Sequence, residues 1–168
     1  MAPPPSMAVS PLVALIIRII TFICLFISII VIATNKVTVV SRKTQTEVLF
    51  SSFYAYRYML ASGVIGMAYT ILQTALTIFT VSTGNRLGGD GFAFLDFFGD
   101  KVISYLLATG AAAGFGLTVD LGRDEVVDSV IGSFLQKANV STSLLFIGFL
   151  FSAISSVFSS LSLPKRVD

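Results

Sequence analysis

The chain has 168 residues, of which 55% are hydrophobic and only 12% charged, with a mean hydropathy of +0.90 and a net charge of +2. Soluble domains carry about 25% charged residues, so half that share leaves too little polar surface to coat a water-facing globule. A net charge this small gives no footing for a nucleic-acid partner. The lack of histidine and the single cysteine, Cys24, exclude an intrachain disulfide and a metal site of the usual His/Cys kind.

Residues 1–11, MAPPPSMAVSP, read as a disordered tail, because three consecutive prolines and two serines offer no apolar face. The tail has no basic n-region, and the apolar block behind it is long, which describes an uncleaved first span better than a signal peptide. That block, 12–33, is followed by others at 58–81, 97–119 and 144–163, each long enough to cross a hydrocarbon core of about 30 Å. The expected fold is an all-α membrane protein: a four-transmembrane-helix bundle occupying 12–163, with short loops, no separate soluble domain and a short tail at 164–168. No proline interrupts a span; Pro11 and Pro164 stand at the outer limits of the membrane region, where proline is tolerated. The connections are a loop from Asn35 to about Arg57, a glycine-rich turn at Ser82–Gly91 and a mildly acidic loop from about Asp120 to Val140.

Each span keeps small and polar residues on one side when turned by about 100° per residue. Span one aligns Arg18, Thr21, Leu25 and Ser28. Span two aligns Ser62, Gly66, Gln73, Thr77 and Thr80, and span three Asp100, Ser104, Leu107, Ala111, Gly114 and Thr118. Span four aligns Gly148, Ser152, Ser155, Ser159 and Ser162. Lipid supplies no hydrophobic drive between helices, so small residues that let backbones approach and hydroxyls that bond across make the interface. Serine and threonine also bond back to their own helix carbonyls, but four coherent stripes favour a closely packed polar seam.

Arg18 and Asp100 are the charges set into this seam. A charge at the bilayer centre costs about 2.5–3.5 kcal/mol on insertion scales, and such residues face the bundle interior and pair. Spans one and three run in the same direction; at 1.5 Å per residue Arg18 lies about 9 Å and Asp100 about 5 Å inside one leaflet. The expectation is a structural ion pair, able to be bidentate and to set the register of span one on span three; the competing reading is two side chains snorkelling separately. Lys101 is turned away as an interface residue. Phe53, Tyr54, Tyr56 and Tyr58, and Phe92, Phe94, Phe97 and Phe98, read as interfacial aromatic belts. Asn139-Val140-Ser141 forms a glycosylation sequon, usable only if the third connection is luminal. With both ends inside, three cations (Arg86, Lys165, Arg166) would face six outside (Lys36, Arg42, Lys43, Arg57, Arg123, Lys137), counter to the positive-inside tendency. Orientation stays open on the residues alone.

The stretch GDGFAFLDFFGDKVISYLLATGAAAGFG (Gly89–Gly116), Arg18 in the first span, ATN at Ala33–Asn35, YAYRYM at Tyr54–Met59 and the closing LPKRV resemble the plant Casparian strip membrane protein-like family. The resemblance extends over nearly the whole chain. It implies a four-span plasma-membrane protein with both termini cytoplasmic, distantly related to MARVEL proteins, and it overrides the charge count on orientation. The family's hallmark arginine in span one and aspartate in span three match Arg18 and Asp100. Founding members form immobile polymeric membrane domains that recruit lignin-depositing machinery to the wall. Their acidic-aromatic stretch in the first extracellular loop has no match in SRKTQTEVLFSSF (Ser41–Phe53), so the resemblance implies scaffolding and leaves an endodermal lignin role open.

The expected function is a non-enzymatic, self-associating plasma-membrane scaffold that organises a membrane domain, with local cell-wall modification as its downstream link. Its partners are membrane lipids and copies of itself or of family members; no catalytic residue, metal or cofactor is implied. The alternative is a small proton-coupled transporter or channel subunit using Asp100. Against it stand the match of Asp100 by Arg18 and the lack of a proline break typical of discontinuous transport helices.

Overall fold

In a computed structural model, the described residues are 11–41, 44–83, 89–123 and 129–161. Helix α1 covers Pro11–Ala33, strands β1 and β2 cover Lys36–Ser41 and Thr44–Leu49, and a 3-10 turn at Phe50–Ser52 leads into α2, Tyr54–Thr83. Helices α3, Gly89–Gly122, and α4, Ser129–Leu161, complete the chain. The side chains of Thr80, Phe92 and Phe94, residue Ser162 and both tails (1–10 and 162–168) lie outside the described residues.

All four helices are long and apolar enough to cross a membrane, over Leu12–Ala33, Tyr54–Phe79, Asp96–Gly122 and Ile131–Ser160. Helix is what such sequences adopt, because the hydrocarbon region offers no water and each backbone group has to be satisfied within its own segment. The helices alternate in direction and form a ring in which each packs on the next and α4 closes back onto α1. Spans one and three therefore sit diagonally across the bundle.

Helix α4 starts well before the expected 144. The expected loop to Val140 is helical from Ser129 on, because Phe134, Leu135, Ala138, Ser141, Thr142 and Leu145 recur at helical spacing and are buried, while Ser133, Gln136, Lys137 and Asn139 point outward. That half of the helix is amphipathic, so block hydropathy misses it. Helices α2 and α3 likewise extend past 58–81 and 97–119 at both ends.

The first connection is a second departure. Instead of a loop it holds an antiparallel hairpin with Lys36 opposite Leu49 and Ser41 opposite Thr44. The run Val37-Thr38-Val39-Val40 is β-branched throughout and favours a strand. A lone two-stranded hairpin is marginal in water; this one is pinned at its base. Asn35, almost fully buried, donates from Nδ2 to the Phe134 carbonyl at 2.9 Å, and the Phe50 amide donates to the Asn35 carbonyl at 3.3 Å.

The hairpin end of the bundle has a neutral core. Phe53, Tyr56 and Phe134 meet with ring centroids 5.8–6.2 Å apart. Tyr56 is fully buried, not interfacial, and its hydroxyl lies 2.9 Å from that of Thr118. Tyr54 and Phe98 do lie exposed, as a belt requires. Two turns deeper, Ser28 donates to the Ser141 carbonyl at 2.7 Å and Ser141 donates to the Ser28 carbonyl at 2.8 Å, a reciprocal clasp between α1 and α4. A Cβ on Gly114 would lie 2.7 Å from both Met59 Sδ and Thr142 Oγ1, so α2, α3 and α4 approach here only because that side chain is missing.

Candidate functional site

The four stripes face one another. Arg18, Thr21, Leu25 and Ser28 on α1; Ser62, Gly66 and Gln73 on α2; Asp100, Ser104, Leu107, Ala111 and Gly114 on α3; and Gly148, Ser152 and Ser155 on α4 are all buried. The outer surface carries large apolar side chains instead, such as Ile16, Ile19, Ile23 and Ile30 on α1 and Val102 and Tyr105 on α3. Thr77, Thr118 and Ser159 are half-buried at the stripe ends.

At the end of the bundle away from the hairpin, these stripes assemble a polar cluster. Arg18 stands six residues inside Leu12 and Asp100 four inside Asp96, and both are at least nine-tenths buried. Arg18 Nη2 lies 3.9 Å from Asp100 Oδ2, too long for the bidentate pair expected of these two residues. The geometry of the ring explains the gap: α1 and α3 are diagonal, and neither side chain reaches fully across.

The hydrogen bonds of the two charges go to neighbours instead. Arg18 Nη1 donates to the Gln73 carbonyl at 2.8 Å and to the Thr77 hydroxyl, so the arginine is tied to α2. Asp100 accepts from Tyr69 at 2.8 Å, from Ser159 at 2.7 Å and from Ser155 at 3.3 Å, so the carboxylate is tied to α2 and α4. The register of span one is therefore set against span two. Charge-assisted bonds of this kind contribute about 1.5–3 kcal/mol each, comparable to the insertion cost of the charge they hold.

Two members are absent from the sequence-level pattern. Tyr69 donates a hydrogen bond to Asp100 while accepting from Gln73 Nε2 at 2.9 Å, and Gln73 Nε2 also donates to Asp96 Oδ1 at 2.8 Å. Asp96 thus brings a second carboxylate, one turn before Asp100 on the same face of α3. Both were open to a helical count: Tyr69 falls between Gly66 and Gln73 on the span-two stripe, and Asp96 precedes Asp100 by four. Gly99 makes the arrangement possible, since a Cβ there would lie 2.5 Å from the Tyr69 hydroxyl oxygen and 2.8 Å from its ring.

Lys101 is exposed, its ammonium 4.8 Å from the Phe97 ring centroid. Asn139 is exposed but lies on α4, within a span and not in a loop, and Ser141 of its sequon is fully buried in the clasp with Ser28. Cys24 is half-buried in α1. Among the described residues, no group of three His, Cys, Asp or Glu side chains is placed to hold a metal ion. Nor does the cluster present a nucleophile beside a free base: what it does chemically is hold one guanidinium and two carboxyls through directional bonds from α2 and α4.

Residues 8–151 match the model of the Casparian strip membrane protein domain. The chain is 51% identical over 168 residues to CASP-like protein 4D1 of Ricinus communis, covering 99% of this chain and 100% of that one. It is 53% identical over 164 residues to CASP-like protein 4D1 of Glycine max, covering 97% and 94%. With CASP-like protein 4D2 of Arabidopsis thaliana the identity is 44% over 177 residues, covering 99% of each. No solved structure matches the chain significantly.

Proposed function

The chain belongs to the Casparian strip membrane protein domain family, and from that premise we propose that it is a non-enzymatic, self-associating scaffold of the plasma membrane, with both termini cytoplasmic. It organises a membrane domain, and local cell-wall modification is its downstream link. In this orientation the hairpin is extracellular and the Arg18–Asp100 cluster lies in the cytoplasmic leaflet.

The observation that carries this reading is the direction in which the polar chemistry faces. The lone pairs of Asp100 are taken by Tyr69, Ser155 and Ser159, and Arg18 is bound by Gln73 and Thr77. Every one of these partners lies on another helix of the bundle. An enzyme or carrier needs reactive groups open to a substrate, whereas groups spent on one another hold a shape. The apolar exterior supplies what a lipid-embedded assembly contacts.

One observation favours the second reading, a proton-coupled transporter or channel subunit. Asp96 and Asp100 are joined through Gln73 and Tyr69, two carboxyls against one arginine. The test separates the two. Full-length protein extracted from plant cells in native polymer nanodiscs is sized by mass photometry, expecting species well above one 17.9 kDa chain. Single chains only, together with acid-driven uptake into proteoliposomes that Asp100→Asn abolishes, would overturn the scaffold in favour of transport.

A further inference from the structure

Two buried polar atoms in the cluster have no hydrogen-bond partner: Arg18 Nε, a donor, and Gln73 Oε1, an acceptor. Buried polar groups are paired in the great majority of cases, and an orphan of each kind in one place calls for a mediator. Both residues line the same partly open cavity, together with Thr21, Thr70, Asp100 and Ser155. The centre of a water-sized sphere can move there within about 10 Å³, the room one water molecule requires.

From this geometry we propose that the cavity is a binding site for one water molecule, which accepts from Arg18 Nε–H and donates to Gln73 Oε1. The second proton of the water has acceptors at hand. Thr21 and Thr70 give their own protons to the carbonyls of Ile17 and Gly66, at 2.9 and 2.8 Å, which leaves their oxygens as acceptors. Arg18 cannot accept and Gln73 Oε1 cannot donate, so the polarity of the site has one solution. The water extends the chain Asp96–Gln73–Tyr69–Asp100 back to the guanidinium and gives α1 a further link to α2. It belongs to the bundle itself and stands whether or not the protein self-associates.

The test uses the full chain, labelled with nitrogen-15 arginine, in lipid nanodiscs. The Arg18 Nε–Hε signal is identified by elimination, through single Arg→Lys variants at the other five arginines. A cross-relaxation peak between Arg18 Hε and the water resonance, with the sign of a long-lived contact, is expected in the wild type. Ser152 also lines the cavity. The peak should persist in Ser152→Ala, which removes a hydroxyl and leaves the room, and vanish in Ser152→Val, whose added methyl groups fill the space. Should Ser152→Val not assemble, Ser152→Thr reads the same displacement with one methyl. Absence of the peak in the wild type, or its survival in a folded variant with the cavity filled, overturns the proposal. So does its loss in Ser152→Ala, since the signal was then relayed by the serine hydroxyl.

Discussion

The two ends of the bundle are held together by different physics. At the hairpin end, the Phe53–Tyr56–Phe134 rings, the close approach at Gly114 and the Ser28–Ser141 clasp are neutral and short-ranged. At the opposite end, one guanidinium on α1 and two carboxyls on α3 are held by bonds from α2 and α4. Packing tolerates a lost methyl or hydroxyl by small adjustments, whereas a stranded charge in lipid has nowhere to go. The difference teaches that the charged end is the fragile one, although its hydrogen bonds are as short as those of the packed end.

The largest effect is therefore expected from breaking the charged cluster one partner at a time. Asp100→Leu leaves Arg18 without its counter-charge and strips Tyr69, Ser155 and Ser159 of their acceptor, at a cost of about 3–5 kcal/mol. The variant should be retained in the secretory pathway and degraded, read as plasma-membrane abundance in plant cells. Next comes overpacking of the neutral end. Gly114→Leu pushes a side chain into Met59 and Thr142, costing about 1–3 kcal/mol. Gly116, two residues on, has nothing within 4 Å of a built Cβ; Gly116→Ala should be neutral or slightly stabilising, because alanine is the better helix former. Equal loss at 114 and 116, read as the denaturation midpoint in detergent, would mean that α3 does not pack as described. Gly99→Ala bridges the two regimes: it is a packing change whose consequence is electrical, since it displaces Tyr69 from Asp100. Its loss should shrink when combined with Tyr69→Phe, in which the Asp100 bond is already gone. The smallest effect is expected for Ser28→Ala, about 1 kcal/mol for one hydrogen bond, with Ile147→Leu on the lipid face serving as a silent control.

The same contrast separates what the chain discloses as text from what it does not. Uniform apolar blocks announce spans, and a helical count over them finds Arg18, Ser28, Gln73, Asp100, Gly114 and Ser155, because an interior that excludes lipid is built from what lipid rejects. Block hydropathy is blind where a helix is amphipathic, which is why the first turns of α4 around Phe134 and Ala138 read as loop. It is equally blind to β-branched runs such as Val37–Val40. Partners are less legible than faces. The stripes carry no information on ring order, so Arg18 and Asp100 read as a bidentate pair when α1 and α3 stand diagonally and the arginine bonds to α2. Tyr56 looks interfacial by type, yet it buries its ring and keeps one polar bond, to Thr118, as amphipathic aromatics do when a partner is within reach.

The central claim, that Arg18 and Asp100 form one cluster acting through shared neighbours, is tested most directly by a double-mutant cycle on unfolding in lipid-detergent mixtures. Arg18→Leu, Asp100→Leu and the double variant are compared with wild type at one protein-to-lipid ratio. Coupling through Gln73, Tyr69 and the 3.9 Å contact predicts that the double variant loses less than the sum of the single losses, by about 1 kcal/mol or more. Losses that add to within about 0.3–0.5 kcal/mol would show two residues acting independently and contradict the account.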